Sequence, residues 1–190
     1  MVAPVSTTPD EPRPDPRLSA LVGGFVYSLL LVGGVGWLWA RDRLGLLSSQ
    51  AIGEHGVLAA VGVGLGVGVG GALVAAWVGA HSQRLAALEA EVRHVFAGIG
   101  DAPLLALLLV GAIAEEVFFR LAVQDVFGLG GSVAAYVLVN STTANWAWIP
   151  ITALHATVFG LLMHSGFGLL GTTTANAVLN YLCLRRILTT

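Results

Sequence analysis

Apolar runs separated by short polar breaks follow one another along the chain at helical rather than strand spacing. Residues 18–40 and 56–80 are the clearest runs, each long enough for a helix rising about 1.5 Å per residue to cross a hydrocarbon core about 30 Å thick. A third, 104–123, is apolar apart from Glu115, Glu116 and Arg120. The fourth, from about 129 to 148, carries Asn140, Ser141, Thr142, Thr143 and Asn145, too much polarity for lipid contact all round, so it must face protein or water. Pro150 opens a fifth with His155 inside it. The break Ser165-Gly166-Phe167-Gly168 separates that run from a sixth, which carries Asn176 and Asn180 and ends at Arg185-Arg186. The pattern predicts an all-α, polytopic membrane protein of about six transmembrane helices, since helices are the way, short of a closed barrel, to satisfy backbone groups in lipid.

The segments between the runs refine this picture. Residues 1–17 are rich in proline and acidic groups, with almost no apolar periodicity, and read as a disordered tail ahead of a single transmembrane domain, 18–188. The tail lacks the basic start of a signal peptide, and the run after it is long enough to stay as a membrane helix. Trp37 and Trp39 precede Arg41-Asp42-Arg43, an interface signature. The second run holds Gly62, Gly64, Gly66, Gly68, Gly70 and Gly71, which permit close helix approach. From 82 to 96, Leu85, Leu88, Val92, Val95 and Phe96 share one helical face opposite Arg84, Glu89, Glu91 and Arg93, which predicts an interfacial amphipathic helix. Asp101 is expected to cap the third run, with Pro103 in its first turn.

Composition agrees with a membrane chain. Of 190 residues 56% are hydrophobic and 11% charged, with a mean hydropathy of +0.82. The single cysteine, Cys183, excludes a disulfide or a cysteine zinc site within one chain. All nine basic residues are arginine and the net charge is -2, which gives no electrostatic basis for binding nucleic acid. Arginine-only usage beside abundant Ala, Val and Gly points to a GC-rich or halophilic prokaryote, a halophilic archaeon among them. An even number of spans places both termini on one side. The tail, the 81–102 segment and the C-terminus carry two arginines each, against Arg41 and Arg43 across the membrane, so the expected topology is N-in, C-in in the cell membrane.

Charge inside the third run needs a reason. An ionisable side chain near the bilayer centre costs about 2.5 kcal/mol or more, unless it pairs, faces a cavity or does chemistry. On a helix turning about 100° per residue, Glu115 and Glu116 diverge, while Glu116 and Arg120 lie four apart on one face in the favourable order. Glu116 is then the partner of Arg120. Glu115, without a local counter-charge, has the character of a general base that takes a proton from water.

Glu-Glu-x-x-x-Arg in a membrane helix, followed by polar positions on later helices and a closing x-x-x-Asn, resembles the CPBP family of intramembrane glutamic proteases. That family includes CAAX prenyl endopeptidases, bacteriocin-processing and self-immunity proteins, and myxosortase-like enzymes. The resemblance covers about 100–186. Glu115, Glu116 and Arg120 match its first motif. Its second, Phe-x-x-x-His, is best matched by Ser141-Thr142-Thr143-Ala144-Asn145, and its third, His-x-x-x-Asn, by Asn176-Ala177-Val178-Leu179-Asn180. Both family histidines are replaced by asparagine. Phe159 and His164 offer another match to the second motif, one residue too widely spaced.

The resemblance implies an endopeptidase acting on a membrane-associated protein or peptide in the bilayer. Glu115 would activate water, Glu116 and Arg120 would hold the helix, Asn145 would position the water, and Asn176 with Asn180 would stabilise the oxyanion. Asparagine orients and donates but does not shuttle protons, so His155, near Asn145 in depth, is expected to supply an imidazole. No cofactor and no metal are expected, because the chain contains no His-Glu-x-x-His helix. Two other readings stay open. One is a catalytically silent relative acting as a membrane scaffold, chaperone or immunity protein, favoured by the lost histidines. The other is a proton or ion conduit built on the glutamate pair.

Overall fold

The computed structural model describes residues 15–140, 146 and 148–189, and every regular element within them is a helix. Helix α1 (Pro16–Ala40) begins where the Asp15 carboxylate accepts from the Arg17 amide at 2.9 Å, with Pro16 at the first position, where a missing N–H is harmless. A short α2 (Leu46–Ser49), α3 (Gly56–His81) and α4 (Gln83–Phe96) follow, the last capped by the Ser82 hydroxyl. Helix α5 (Asp101–Glu115) passes through a π-helical segment (Glu116–Val123) into α6 (Gln124–Asn140). Helix α7 (Trp148–Leu162) passes through a second π-helical turn (Met163–Phe167) into α8 (Gly168–Thr189).

Two boundaries differ from the sequence expectation. Gly100 rather than Asp101 occupies the N-cap of α5. Asp101 sits in the first turn and takes Arg185 at 2.6 Å, exchanging a local cap for a tie to the end of α8. Helix α7 starts at Trp148, ahead of Pro150.

Four helical runs among the described residues are long and apolar enough to cross a membrane: Pro16–Ala40, Gly56–His81, Asp101–Asn140 and Trp148–Thr189. The two longest, of 40 and 42 residues, fold back on themselves. Gly128, at φ 65° and ψ -174°, adopts backbone that a side chain strongly resists. The reversal there sets the Ser132 hydroxyl 2.9 Å from the Phe119 carbonyl oxygen, atoms that a straight helix would hold about 20 Å apart. Gly166 and Gly168, at φ 80° and 63°, turn the second run, so that Ala175 joins Phe159 and Leu162 in one buried cluster.

Helix α1 runs parallel to α5 and its π segment: Gly23 faces Leu107, Gly111 faces Tyr27, and Gly34 faces Phe118. Helix α3 runs parallel to α8 in the same manner. A Cβ on Gly64 would lie 2.6 Å from the Gly171 carbonyl oxygen, and one on Gly68 would lie 2.8 Å from that of Ala175, so glycine is what lets these backbones meet. Outward faces are apolar as well, with Leu58 91% exposed, the pattern of helices compatible with a multi-pass membrane protein.

Polar ties close both ends of the bundle. At one end Arg185 binds Asp101, Arg186 pairs with Glu89, and the Arg93 Nε donates to the Ile187 carbonyl at 2.7 Å. At the other, Arg41 and Arg43 converge on Asp125 at 3.0 and 2.6 Å. Helix α4 buries Leu88 and half-buries Leu85, Val92 and Phe96, whereas Val95 is exposed. Glu89, expected on its polar face, turns instead towards α8 to reach Arg186.

Candidate functional site

The inner face of α5 is read at three- and four-residue steps, with Leu104, Leu107, Leu108, Gly111, Ala112 and Glu115 buried while Leu105, Leu109 and Ile113 look outward. This stripe delivers Glu115 to the interior at the point where the helix changes type. Glu116 and Arg120 follow, 0% and 2% exposed, against 7% for Glu115.

The expected divergence of Glu115 and Glu116 does not keep their carboxylates from a shared partner. Both carboxylates meet the same amide: Asn176 Nδ2 donates to Glu115 Oε2 at 3.1 Å and to Glu116 Oε1 at 2.9 Å. The backbone at both residues is ordinary α-helix, φ -62° and ψ -46° at Glu115 and φ -68° and ψ -39° at Glu116, so the meeting is made by their long side chains and the two hydrogens of one amide. Asn176, fully buried on α8, arrives between them.

Behind this pair most polar atoms are matched, although the buried Arg120 Nη2 has no hydrogen-bond partner among the described residues. Arg120 Nε donates to Glu116 Oε2 at 3.3 Å, the i,i+4 pair expected from the sequence, and its Nη1 donates to the Ser132 hydroxyl at 2.9 Å. Ser132 passes its own hydrogen to the Phe119 carbonyl. The Asn180 amide donates to Asn176 Oδ1 at 2.6 Å. That bond fixes which way the Asn176 amide points, since ionised carboxylates only accept. Asn180 therefore contacts Asn176 rather than either carboxylate, and both Asn176 hydrogens are used.

A cavity of about 360 Å³ lies in front of Glu115. Glu115, Tyr27, Tyr136, Asn140, His155 and Asn180 supply its polar wall; Glu116, Arg120 and Asn176 do not reach it. Val92, Phe96, Leu184 and Ile187 form its apolar side, at the end of the bundle where α4 meets the close of α8. Cys183 also lines it.

Tyr136 was not anticipated from the sequence. Its hydroxyl donates to Glu115 Oε2 at 3.3 Å, and its ring stacks on His155 at 5.2 Å between centroids and 20° between planes. Phe119 meets the same ring edge-on at 4.8 Å, and the Arg120 guanidinium lies 5.5 Å from its centroid. The available signal was Ser132, Tyr136 and Asn140, a polar stripe at four-residue spacing on an apolar helix.

His155 is placed by this stack and by Phe159, whose ring is 4.2 Å away. Its contact in the site is thus Tyr136, and its buried Nε2 has no hydrogen-bond partner among the described residues. Asn145 and the stretch 141–145 lie outside the described residues. The adjacent Trp146 carries the Arg84 guanidinium over its ring at 4.6 Å. His164 is exposed. Among the described residues no three His, Cys, Asp or Glu side chains come together as metal ligands.

In comparisons with known proteins, no family model matches the chain, and neither a curated protein nor a solved structure is significantly similar to it.

Proposed function

We propose that the chain is an intramembrane, glutamate-dependent endopeptidase that hydrolyses a peptide bond of a membrane-associated protein or peptide. The observation that carries this reading is the division of labour between neighbouring carboxylates. Glu115 opens on the cavity, while Glu116 lies behind it, paired with Arg120. A base that meets substrate and a second acid that anchors the helix are two roles, and two environments are present for them.

In the reaction, a Glu115 carboxylate oxygen takes a proton from water. The resulting hydroxide adds to the scissile carbonyl carbon, and the C–N bond breaks as the proton passes to the departing amine. Asn180, which lines the cavity, donates its second N–H to the oxyanion. Asn145 positions the water. His155, on the same wall, assists the proton transfer. The likeness of Glu115-Glu116-x-x-x-Arg120 to the first motif of the CPBP proteases supports the assignment. The same reading takes six crossings with both termini inside, which would put Arg93, Arg185 and Arg186 in the cytoplasm and Arg41 and Arg43 outside.

One observation favours a second reading, a silent scaffold or immunity protein: the Asn176 amide is fully engaged by carboxylates and has no hydrogen left for an oxyanion. The two readings separate on expression of the parent and of Glu115→Gln in the same membrane, followed by mass spectrometry of the new peptide termini. Termini seen with the parent and lost in Glu115→Gln support proteolysis. Identical termini favour the scaffold.

A further inference from the structure

Glu115 accepts both of its hydrogen bonds on one oxygen. Asn176 and Tyr136 each donate to Oε2, at 3.1 and 3.3 Å, and Oε1 receives none from the described residues. Two donors from different helices, α8 and α6, hold a carboxylate plane more firmly than one, and they leave the other oxygen to face whatever enters the cavity. Tyr136 is itself held on three sides, by the His155 stack, the Phe119 edge and the Arg120 guanidinium, and it is 4% exposed. Its hydroxyl thus has a defined position, and packing rather than the hydrogen bond sets it.

We infer that Tyr136 is a positioning residue for the proposed hydrolysis: its hydroxyl and the Asn176 amide clamp Glu115 Oε2 so that Oε1 is the atom that takes the proton from water. This rests on the endopeptidase reading. It also accounts for how a site whose motif histidines are asparagines keeps its base aimed, because the clamp is built from donors that need not change protonation.

Tyr136→Phe removes the hydroxyl and keeps the ring that Phe119, His155 and Arg120 pack against. The full chain, reconstituted in vesicles, is examined by infrared difference spectroscopy, in which the band lost in Glu115→Gln belongs to the Glu115 carboxyl. The same vesicles are assayed on a quenched fluorescent peptide carrying one membrane-spanning helix. The inference expects Tyr136→Phe to shift the Glu115 band, to keep the parent's melting temperature and KM, and to lower kcat roughly 10²-fold, the scale of a misplaced catalytic group. An unmoved band overturns it, even where Glu115→Gln abolishes cleavage and the endopeptidase reading stands. A lowered melting temperature with unchanged kcat also overturns it, leaving Tyr136 a packing residue. If parent and Glu115→Gln treat the peptide alike, the endopeptidase reading fails and the positioning role falls with it, whatever the band does.

Discussion

Asn176 donates one amide hydrogen to Glu115 at 3.1 Å and the other to Glu116 at 2.9 Å, so one neutral side chain on α8 holds two adjacent carboxylates together. A hydrogen bond to a charged group contributes about 1.5 to 3 kcal/mol, and a buried acceptor left without its donor costs a similar amount. Asn176→Ala should therefore lower unfolding free energy in mixed micelles by about 2 to 3 kcal/mol. Asn176→Asp, which sets a third carboxyl beside the pair, should be worse. Parent-like stability of Asn176→Asp would show that the amide is not the link.

The Glu116 and Arg120 pair makes a separate claim. Its side chains are all but inaccessible, and removing one partner of such a pair leaves an uncompensated charge at about 3 to 5 kcal/mol. Arg120→Ala should sharply reduce folded yield, measured by size-exclusion chromatography in detergent. Replacing Glu116 and Arg120 together by uncharged residues should recover part of the loss. Ser132→Ala, which removes one of the bonds to Arg120, should cost about 1 kcal/mol. Equal yields for all variants would rule out a structural pair.

What could be read from the sequence was what depends on near neighbours. The runs that became α1 and α3 are set by apolar length, and α4 by its 3.6-residue period. The Glu116 and Arg120 pair needs only four-residue spacing on one helix, and the reversal near Gly166 follows from the glycines themselves. The sharing of one donor by Glu115 and Glu116 was not legible, because that donor, Asn176, lies about sixty residues away on another helix. Tyr136 was missed for the same reason: its ring is fixed by His155 and Phe119 from different elements. The latch of Arg41 and Arg43 on Asp125 likewise joins groups too distant in sequence for a local pattern to link.

The glycines of α3 fall into two sets with opposite expected behaviour. Gly64 and Gly68 touch the α8 backbone, while Gly62 and Gly66 have no atom near a Cβ. Gly64→Ala and Gly68→Ala should each destabilise by about 1 to 3 kcal/mol through overpacking. Gly62→Ala and Gly66→Ala, with open space at the Cβ, should instead stabilise by up to about 1 kcal/mol. Thermal unfolding in detergent compares the four variants, and equal effects would contradict the parallel packing of α3 on α8.

Cys183, the only cysteine, lines the cavity at the end where α4 meets α8. In cells, a membrane-impermeant maleimide should leave Cys183 untouched from outside and modify it once the cytoplasmic face is opened. Asp42→Cys in a Cys183→Ser background should be modified from outside. The reverse pattern would contradict the N-in, C-in arrangement.

The central claim is that neighbouring glutamates divide function from structure, and the most direct measurement is cleavage and folding assayed side by side for Glu115→Gln and Glu116→Gln. Glu115→Gln should fold like the parent while cleavage of the membrane-anchored peptide falls by roughly 10² or more, the scale of a lost general base. Glu116→Gln should lose stability first, because Arg120 keeps its burial and loses its counter-charge. Cleavage by Glu115→Gln at the parent's rate would rule out Glu115 as the base.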